Sequence, residues 1–507
     1  MKKYMYLLVF MMIFNLSTAY AETESIKINL SNELVTINGK NISTDTTKGI
    51  FLSNKMNIGV ESEENQAIDK IININAPGIY EFTGVLDDGQ IAINANNIKG
   101  DVKIVLNNAN INCKKAPAIF VYSKNTEQED CKVTISTVKD TINNITGNRT
   151  KISVLGWENQ ENIQYYIAKE TDEGEYIEEC KYNGAISSDI SLTFNGEGIL
   201  NITSTKKEGI ECKMHITFDS GEVYISSLDD AVNANGDGKS IVTINSGILV
   251  ANILSDAEEG DGIDSNGYIY INGGTVYAFA HPGADIGIDS DLGTYVNDGT
   301  VFETGDMHSE LRTTNDNKII QVQLRDGVKA GENLVIADKQ QNVVFAYKAD
   351  RDFSTFAYTS DLLENKEYEV YTGTTVEGTV NANNIYTEIK NINFDKLTKQ
   401  EINFDMRRVP QNLSVNNVIG IICLIVAGIL LIVGIIASVK TKERIRVVYL
   451  VGGIIIGALA VYGVMSMAPD NRNNFMSDTR GMEIPFRENI QKPSRNFDVT
   501  QPVMNKK

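Results

Sequence analysis

The sequence predicts an all-β fold: a parallel β-helix with a small C-terminal β cap module, followed by a two-helix transmembrane hairpin. Three observations lead there. The stretch Asn195–Gly305 repeats about every 25 residues, with anchor glycines at 198, 221, 247, 274 and 299. Each repeat holds short β-branched runs and Gly/Asn/Asp turns, with no helical period. Near the C-terminus lie two apolar, uncharged runs of about 21 residues each, Val418 to Val439 and Val447 to Met467.

A fixed repeat of this length means a stacked array. One coil of a parallel β-helix fits it, with each strand pairing to its copy in the next coil. A leucine-rich repeat would need a leucine-and-asparagine pattern that is absent, and a propeller blade needs roughly 40 residues. A second anchor recurs between the glycines: Glu208-Gly-Ile210-Glu211, Asp230-Ala-Val232-Asn233, Asp261-Gly-Ile263-Asp264 and Gly287-Ile288-Asp289. Side chains alternate faces along a strand. Leu200, Val223, Leu249, Val276 and Val301 should therefore point inward, followed by Ile202, Ile225, Ala251, Ala278 and Glu303. Glu303 breaks this inward column, so the stack should end near it.

In chain order, Met1-Lys-Lys, the apolar run Tyr4 to Phe14 and Ala19-Tyr20-Ala21 resemble a secretory signal peptide over 1–21. An uncleaved anchor is the alternative. Residues 22–77 form an irregular β segment and 78–311 the β-helix. A charged insertion, 149–185, should loop out beside the coils. Residues 312–379 alternate in short strands without the period and form the cap that a stack needs. A polar stalk follows at 380–411. The apolar runs 418–439 and 447–467 are each long enough to span a bilayer. Lys440, Lys442, Arg444 and Arg446 place the intervening loop, 440–446, in the cytoplasm. This predicts a cell-membrane location with the large N-terminal domain extracellular, and a disordered extracellular tail at 468–507. Gly453 and Gly457 would pack the hairpin.

Composition excludes some functions. The chain has 46 Lys+Arg against 66 Asp+Glu, a net charge of −20. That argues against nucleic acid and against docking on anionic lipid. Cys423 falls in the first apolar run. Cys113, Cys131, Cys180 and Cys212 allow two disulfides or four buried thiols. There is no CxxC and there are only three histidines, so a zinc site is not expected.

The charge pattern within the repeats is more informative. From Ser240 to Leu311 there are twelve Asp or Glu and no Lys or Arg. In stacked coils, residues in register lie about 4.8 Å apart, and carboxylates at that spacing repel. Hard oxygen ligands without nitrogen or sulfur suit Ca²⁺. Asp230, Asp261, Asp264 and Asp289, with Asp256, Glu259 and Asp285, are the candidate calcium ligands. The alternative is a solvated acidic face of turn-forming residues. An outward aromatic column, Tyr224, Tyr277 and Phe302, and a second pair, Tyr270 and Tyr295, are candidates for stacking on sugar rings, unless the insertion or the cap covers them.

Catalysis is not expected. Stacked rungs give carboxylate pairs at glycosidase spacing without design. A lyase would need a base to take a proton from the substrate. Lys206, Lys207, Lys213 and Lys239 are the nearest basic residues, and none has an obvious partner in the sequence.

Several segments carry a family resemblance: Gly84-Val-Leu-Asp-Asp-Gly89-Gln-Ile91, Val105 to Ile111, Pro117-Ala-Ile119, Asp261-Gly-Ile-Asp264, Asn272-Gly-Gly-Thr-Val276 and Ile336 to Phe345. They resemble bacterial surface proteins described as carbohydrate-binding-domain-containing. The resemblance implies a right-handed, pectate-lyase-like parallel β-helix with bound calcium that binds acidic or cellulosic polysaccharide without cleaving it. Asn233 departs from the pattern, where an acidic or small turn residue is more typical. Two functions follow. One is a membrane-anchored, calcium-dependent polysaccharide-binding protein. The other is a structural or adhesive envelope protein rigidified by calcium, and a polysaccharide lyase ranks below both.

Overall fold

A computed structural model describes residues 24–54, 68–128, 130–155, 167–170, 176–283, 285–307, 309–313 and 318–400. From Leu192 onward each coil contributes one strand to each of three parallel ladders. The first ladder holds Leu192–Gly196, Ile216–Phe218, Ile241–Ile244, Tyr268–Ile271, Gly293–Val296 and Leu311–Thr313. The second holds Ile199–Ser204, Glu222–Ser227, Ile248–Ile253, Thr275–Phe279 and Thr300–Gly305. The third holds Ile186–Ser188, Ile210–Cys212, Val232–Ala234, Ile263–Ser265 and Ile288–Ser290.

Register follows the alternation. Leu200, Val223, Leu249, Val276 and Val301 stand directly over one another and are buried. A glycine column turns the chain between the first and second ladders. Gly221, Gly247, Gly274 and Gly299 have φ of +92°, +85°, +82° and +94°, which L side chains rarely adopt. A Cβ on Gly247 would also lie 2.2 Å from the Gly221 carbonyl oxygen. Glu303 is in register with Ala278, buried, and the parallel pairing of the second ladder ends with its strand, while the first ladder runs on to Leu311–Thr313. Its strand pairs antiparallel with Phe353–Thr359 of the C-terminal module.

Several boundaries differ from expectation. The coils begin earlier than residue 78: Ile26–Leu30 pairs parallel with Gly78–Leu86, and Lys70–Ile74 with Gly89–Asn94. The insertion is a three-stranded antiparallel sheet, Thr150–Leu155, Ile167–Glu170 and Tyr176–Tyr182, not a loop. The C-terminal module continues through the expected stalk. Val376–Val380 and Tyr386–Ile392 form a hairpin, and Thr398–Lys399 joins the sheet edge at Tyr368–Gly373. Cys113, Cys131 and Cys212 are buried free thiols.

The fold class and the location need a correction. The described chain is all β, and its helical content is two single turns, Ala95–Asn97 and Phe394–Lys396. Among the described residues no helix is long and apolar enough to cross a membrane. A two-helix transmembrane hairpin and a cell-membrane location are therefore not supported. The runs 418–439 and 447–467, the loop between them, the tail 468–507 and the leader 1–21 lie outside the described residues.

One side chain fastens the module to the coils. Arg351 Nη1 donates to the Ile253 carbonyl at 2.7 Å, and Nη2 donates to Asn252 Oδ1 at 2.6 Å. The guanidinium also lies 5.8 Å from the centre of the Phe279 ring. A planar fork makes these contacts together, and an ammonium cannot. Arg351→Ala is expected to cost about 2 kcal/mol, with Arg351→Lys recovering little of it. Urea midpoints of the three chains measure the effect.

Candidate functional site

The third ladder's strands are three residues long, so the middle residue of each points out of the coil. These middle residues are Ser187, Glu211, Asn233, Asp264 and Asp289, in register. The turn three residues before Glu211, Asn233 and Asp264 supplies Glu208, Asp230 and Asp261. Two oxygen-bearing columns thus run side by side along one edge.

Asp261, Asp264 and Asp289 converge, each offering a carboxylate oxygen within 4.8 Å of the others. Asp261 Oδ1 accepts from the Ile286 N–H at 2.6 Å, and Asp289 Oδ1 from the Ser290 N–H at 2.8 Å. Asp230 lies next to them. Its Oδ1 accepts from the Asp261 N–H at 2.8 Å and its Oδ2 from Asn233 Nδ2 at 2.7 Å.

Burial and mutual repulsion set the electrostatics. Burial, then the neighbouring Asp230 carboxylate, pushes Asp261 up to about 8. Burial, then Asp230 and Asp289, pushes Asp264 up to about 8. Burial, then Asp229, pushes Asp230 up to about 7, and burial raises Asp289.

Of the remaining candidate ligands, Asp285 stays close enough to add to the repulsion on Asp230, and Asp256 and Glu259 lie elsewhere. Asp285 faces His281, with Oδ2 at 3.3 Å from Nδ1. Asp256 is exposed, and Glu259 pairs with Lys207 at 3.1 Å. Three of the four basic candidates are engaged, contrary to their lack of partners in the sequence, while Lys206 is exposed and makes no ion pair among the described residues. Lys207 also bonds Asp229, Lys239 bonds Glu127, and Lys213 pairs with Asp189 at 2.6 Å. Among the described residues no ion pair reaches Asp261, Asp264 or Asp289. Their donor set is carboxylate oxygen alone, the class that hard divalent cations take.

The aromatic candidates divide. Tyr224, Tyr277 and Phe302 do stand on the outer side of the second ladder, but the C-terminal module covers that face. Phe302 is fully buried, 4.6 Å from the Phe345 ring and 5.0 Å from Tyr347. Phe302 therefore serves packing, while Tyr224 and Tyr277 pack against the same cluster and stay partly exposed. Tyr270 and Tyr295, on the first ladder, are only half-buried. Their rings stack on one another at 5.6 Å and 18°. Two residues that the sequence reading missed extend this strip. Tyr268 lies 5.8 Å from Tyr270, and the Arg312 guanidinium 5.9 Å from the Tyr295 ring centre. Tyr268 could have been found, because it shares the outward parity of Tyr270. Each stacked ring uses a face on its neighbour, so the strip offers edges and hydroxyls more than free faces. The tight turn Ser265–Asn266–Gly267 joins the strand of Asp264 to that of Tyr268.

The model of a family described as carbohydrate-binding domain-containing protein matches residues 68–352, more than half of the 507-residue chain. The chain belongs to that family. No curated protein and no solved structure matches it. The matched segment contains the acidic edge, the tyrosine strip and the module strands as far as Asp352. Membership gives this carbohydrate-binding domain-containing protein a carbohydrate-binding role.

The raised carboxylates give a pH dependence with a definite sign. Without a cation the native state binds protons more tightly than the unfolded chain, whose aspartates titrate near 4. Stability is then fully present below about pH 4 and is lost as the pH rises through about 7 to 8. Melting temperatures of chelator-treated protein should fall between pH 5 and 9, and Asp264→Asn should flatten the fall. A melting temperature that rises with pH would show that these carboxyls are not strained.

Proposed function

We propose that the protein binds polysaccharide through calcium and does not cleave it. The observation that carries this reading is the convergence of three carboxylate oxygens, from Asp261, Asp264 and Asp289, within 4.8 Å. Raised carboxyls held together at neutral pH favour a divalent cation, which replaces the shared protons. Calcium suits an all-oxygen, flexible donor set and keeps coordination positions for an outside ligand. An acidic polysaccharide fits best. A chain with net charge −20 repels a polyanion unless a cation bridges the two. The half-buried Tyr268, Tyr270 and Tyr295, one turn from Asp264, supply hydroxyls and ring edges for the sugars beside the ion. They would also suit a neutral, cellulosic chain.

The positions of the bases support binding without cleavage, since Lys206, the one candidate without an ion pair among the described residues, lies on the coil of Glu208 and not on those of Asp264 and Asp289. A lyase needs a basic group free to take the substrate proton. Lys207, Lys213 and Lys239 are each held by a carboxylate, and Arg312 pairs with Glu310 at 3.1 Å.

Retention on polygalacturonate and on cellulose, with calcium or with chelator, tests the proposal. Polygalacturonate should be retained with calcium and released by chelator, and Asp264→Asn or Asp289→Asn should weaken retention at least about tenfold, the loss of one strong charge contact. Tyr295→Ala should weaken it less. No glycan retained in either condition would sink this reading and favour a rod stiffened by cations.

A further inference from the structure

The third ladder repeats one arrangement of three side chains. In the converged cluster these are a turn residue, the residue three further on, and the residue in register with that one on the next coil: Asp261, Asp264 and Asp289. Two coils earlier the same positions hold Glu208, Glu211 and Asn233. The two glutamates of this earlier set are closed off from solvent, and Asn233 is half-buried with its side-chain oxygen covered. Glu208 is 7% exposed and Glu211 2%. Asn183, at the exit of the insertion, lies across both. Its backbone N–H donates to Glu211 Oε2 at 2.7 Å and its side-chain amide to Glu208 Oε1 at 3.4 Å.

Two buried oxygens in this set have no hydrogen-bond donor, Glu208 Oε2 and Asn233 Oδ1. Buried acceptors left unpaired are uncommon and call for an explanation. The Asn233 amide nitrogen is already committed to Asp230, so its oxygen is the atom left over. Glu211 accepts from Ser187 Oγ at 3.2 Å and from Asn235 Nδ2 at 3.2 Å. Its carboxylate has lone pairs beyond these bonds. Lys213, ion-paired with Asp189, offsets part of the Glu211 charge. Among the described residues no ion pair reaches Glu208. The Asp229 and Asp230 carboxylates add to the negative charge around it.

We infer that Glu208, Glu211 and Asn233 form a second site for a hard divalent cation, buried beneath Asn183 and out of reach of any glycan. A cation there would give both orphaned oxygens a partner. It also ties the exit of the insertion to two coils, so its role is to hold the stack together. The rival is a proton on Glu208, which would donate to the Asn233 oxygen and satisfy both atoms without metal. The inference stands apart from glycan binding.

Calcium titration of the full-length chain by calorimetry separates the cases. The wild-type chain should show two binding events. Glu208→Gln should abolish one or weaken it at least tenfold, and Asp289→Asn should remove the other. Asn233→Asp adds a carboxylate and should tighten the buried event about tenfold, since ligand charge tunes calcium affinity. Glu208→Gln should still retain polygalacturonate as wild type does. If Glu208→Gln does not fold, Asn233→Asp decides. Wild-type stoichiometry and affinity in Glu208→Gln, or an unchanged affinity in Asn233→Asp, overturns the second site. Two ions bound with no glycan retained would instead refute only the proposed function.

Discussion

The parallel ladder governs the rest of the structure. Hydrogen bonding between successive coils fixes equivalent residues about 4.8 Å apart, so each side chain meets its own counterpart above and below. Apolar residues gain from this, as in the Leu200 to Val301 column. Amides gain as well. Asn297 donates to Asn272 at 2.7 Å, Asn272 to Asn245 at 2.8 Å, and Asn245 to Asp219 at 2.7 Å, in one chain along an exposed corner. Carboxylates lose. Two of them at that spacing repel by roughly 3 kcal/mol at an effective dielectric near 20. A column of acids in such a fold has to be resolved by a proton or a cation, and this chain concentrates its acids on one ladder.

The three outer faces then take different roles. The second is sealed over much of its length by the C-terminal module, through Phe302, Phe279 and Val250. The third carries the carboxylates and is roofed at its earlier coils by Tyr182 and Asn183 as the insertion returns. The first keeps a half-buried tyrosine strip. The corner between the third and first ladders, with Asp289 on one side and Tyr295 on the other, is only partly buried.

How much of this could be read from the sequence depends on the kind of interaction. Period and alternation located the inward column and the register of Glu211, Asn233, Asp264 and Asp289, because both depend only on position along the strand. The converging aspartates were also legible, since each lies a fixed distance from an anchor. Coverage was not. Tyr224, Tyr277 and Phe302 are outward by parity, but whether an outward ring meets water or a second module depends on contacts between segments far apart in sequence. The early rungs at Ile26–Leu30 and Lys70–Ile74 were missed because long connections separate them and they lack the glycine anchors. Asp256 and Glu259 were drawn in by composition alone, and their loop carries them to solvent and to Lys207.

Asn233 is where these constraints meet. An acid at that position would make an unbroken column of four carboxylates, from Glu211 to Asp289, each one strand spacing from the next. The amide interrupts it. Its nitrogen donates to Asp230, which relieves one neighbouring carboxylate, while its oxygen stays with the buried side. The column divides into an inner group around Glu208 and Glu211 and an outer group of Asp261, Asp264 and Asp289. Glutamates, with one more methylene, stand on the roofed side, and the shorter aspartates on the open side. One amide in the register thus breaks a run of four carboxylates into a buried glutamate pair and an outer group of three converging aspartates.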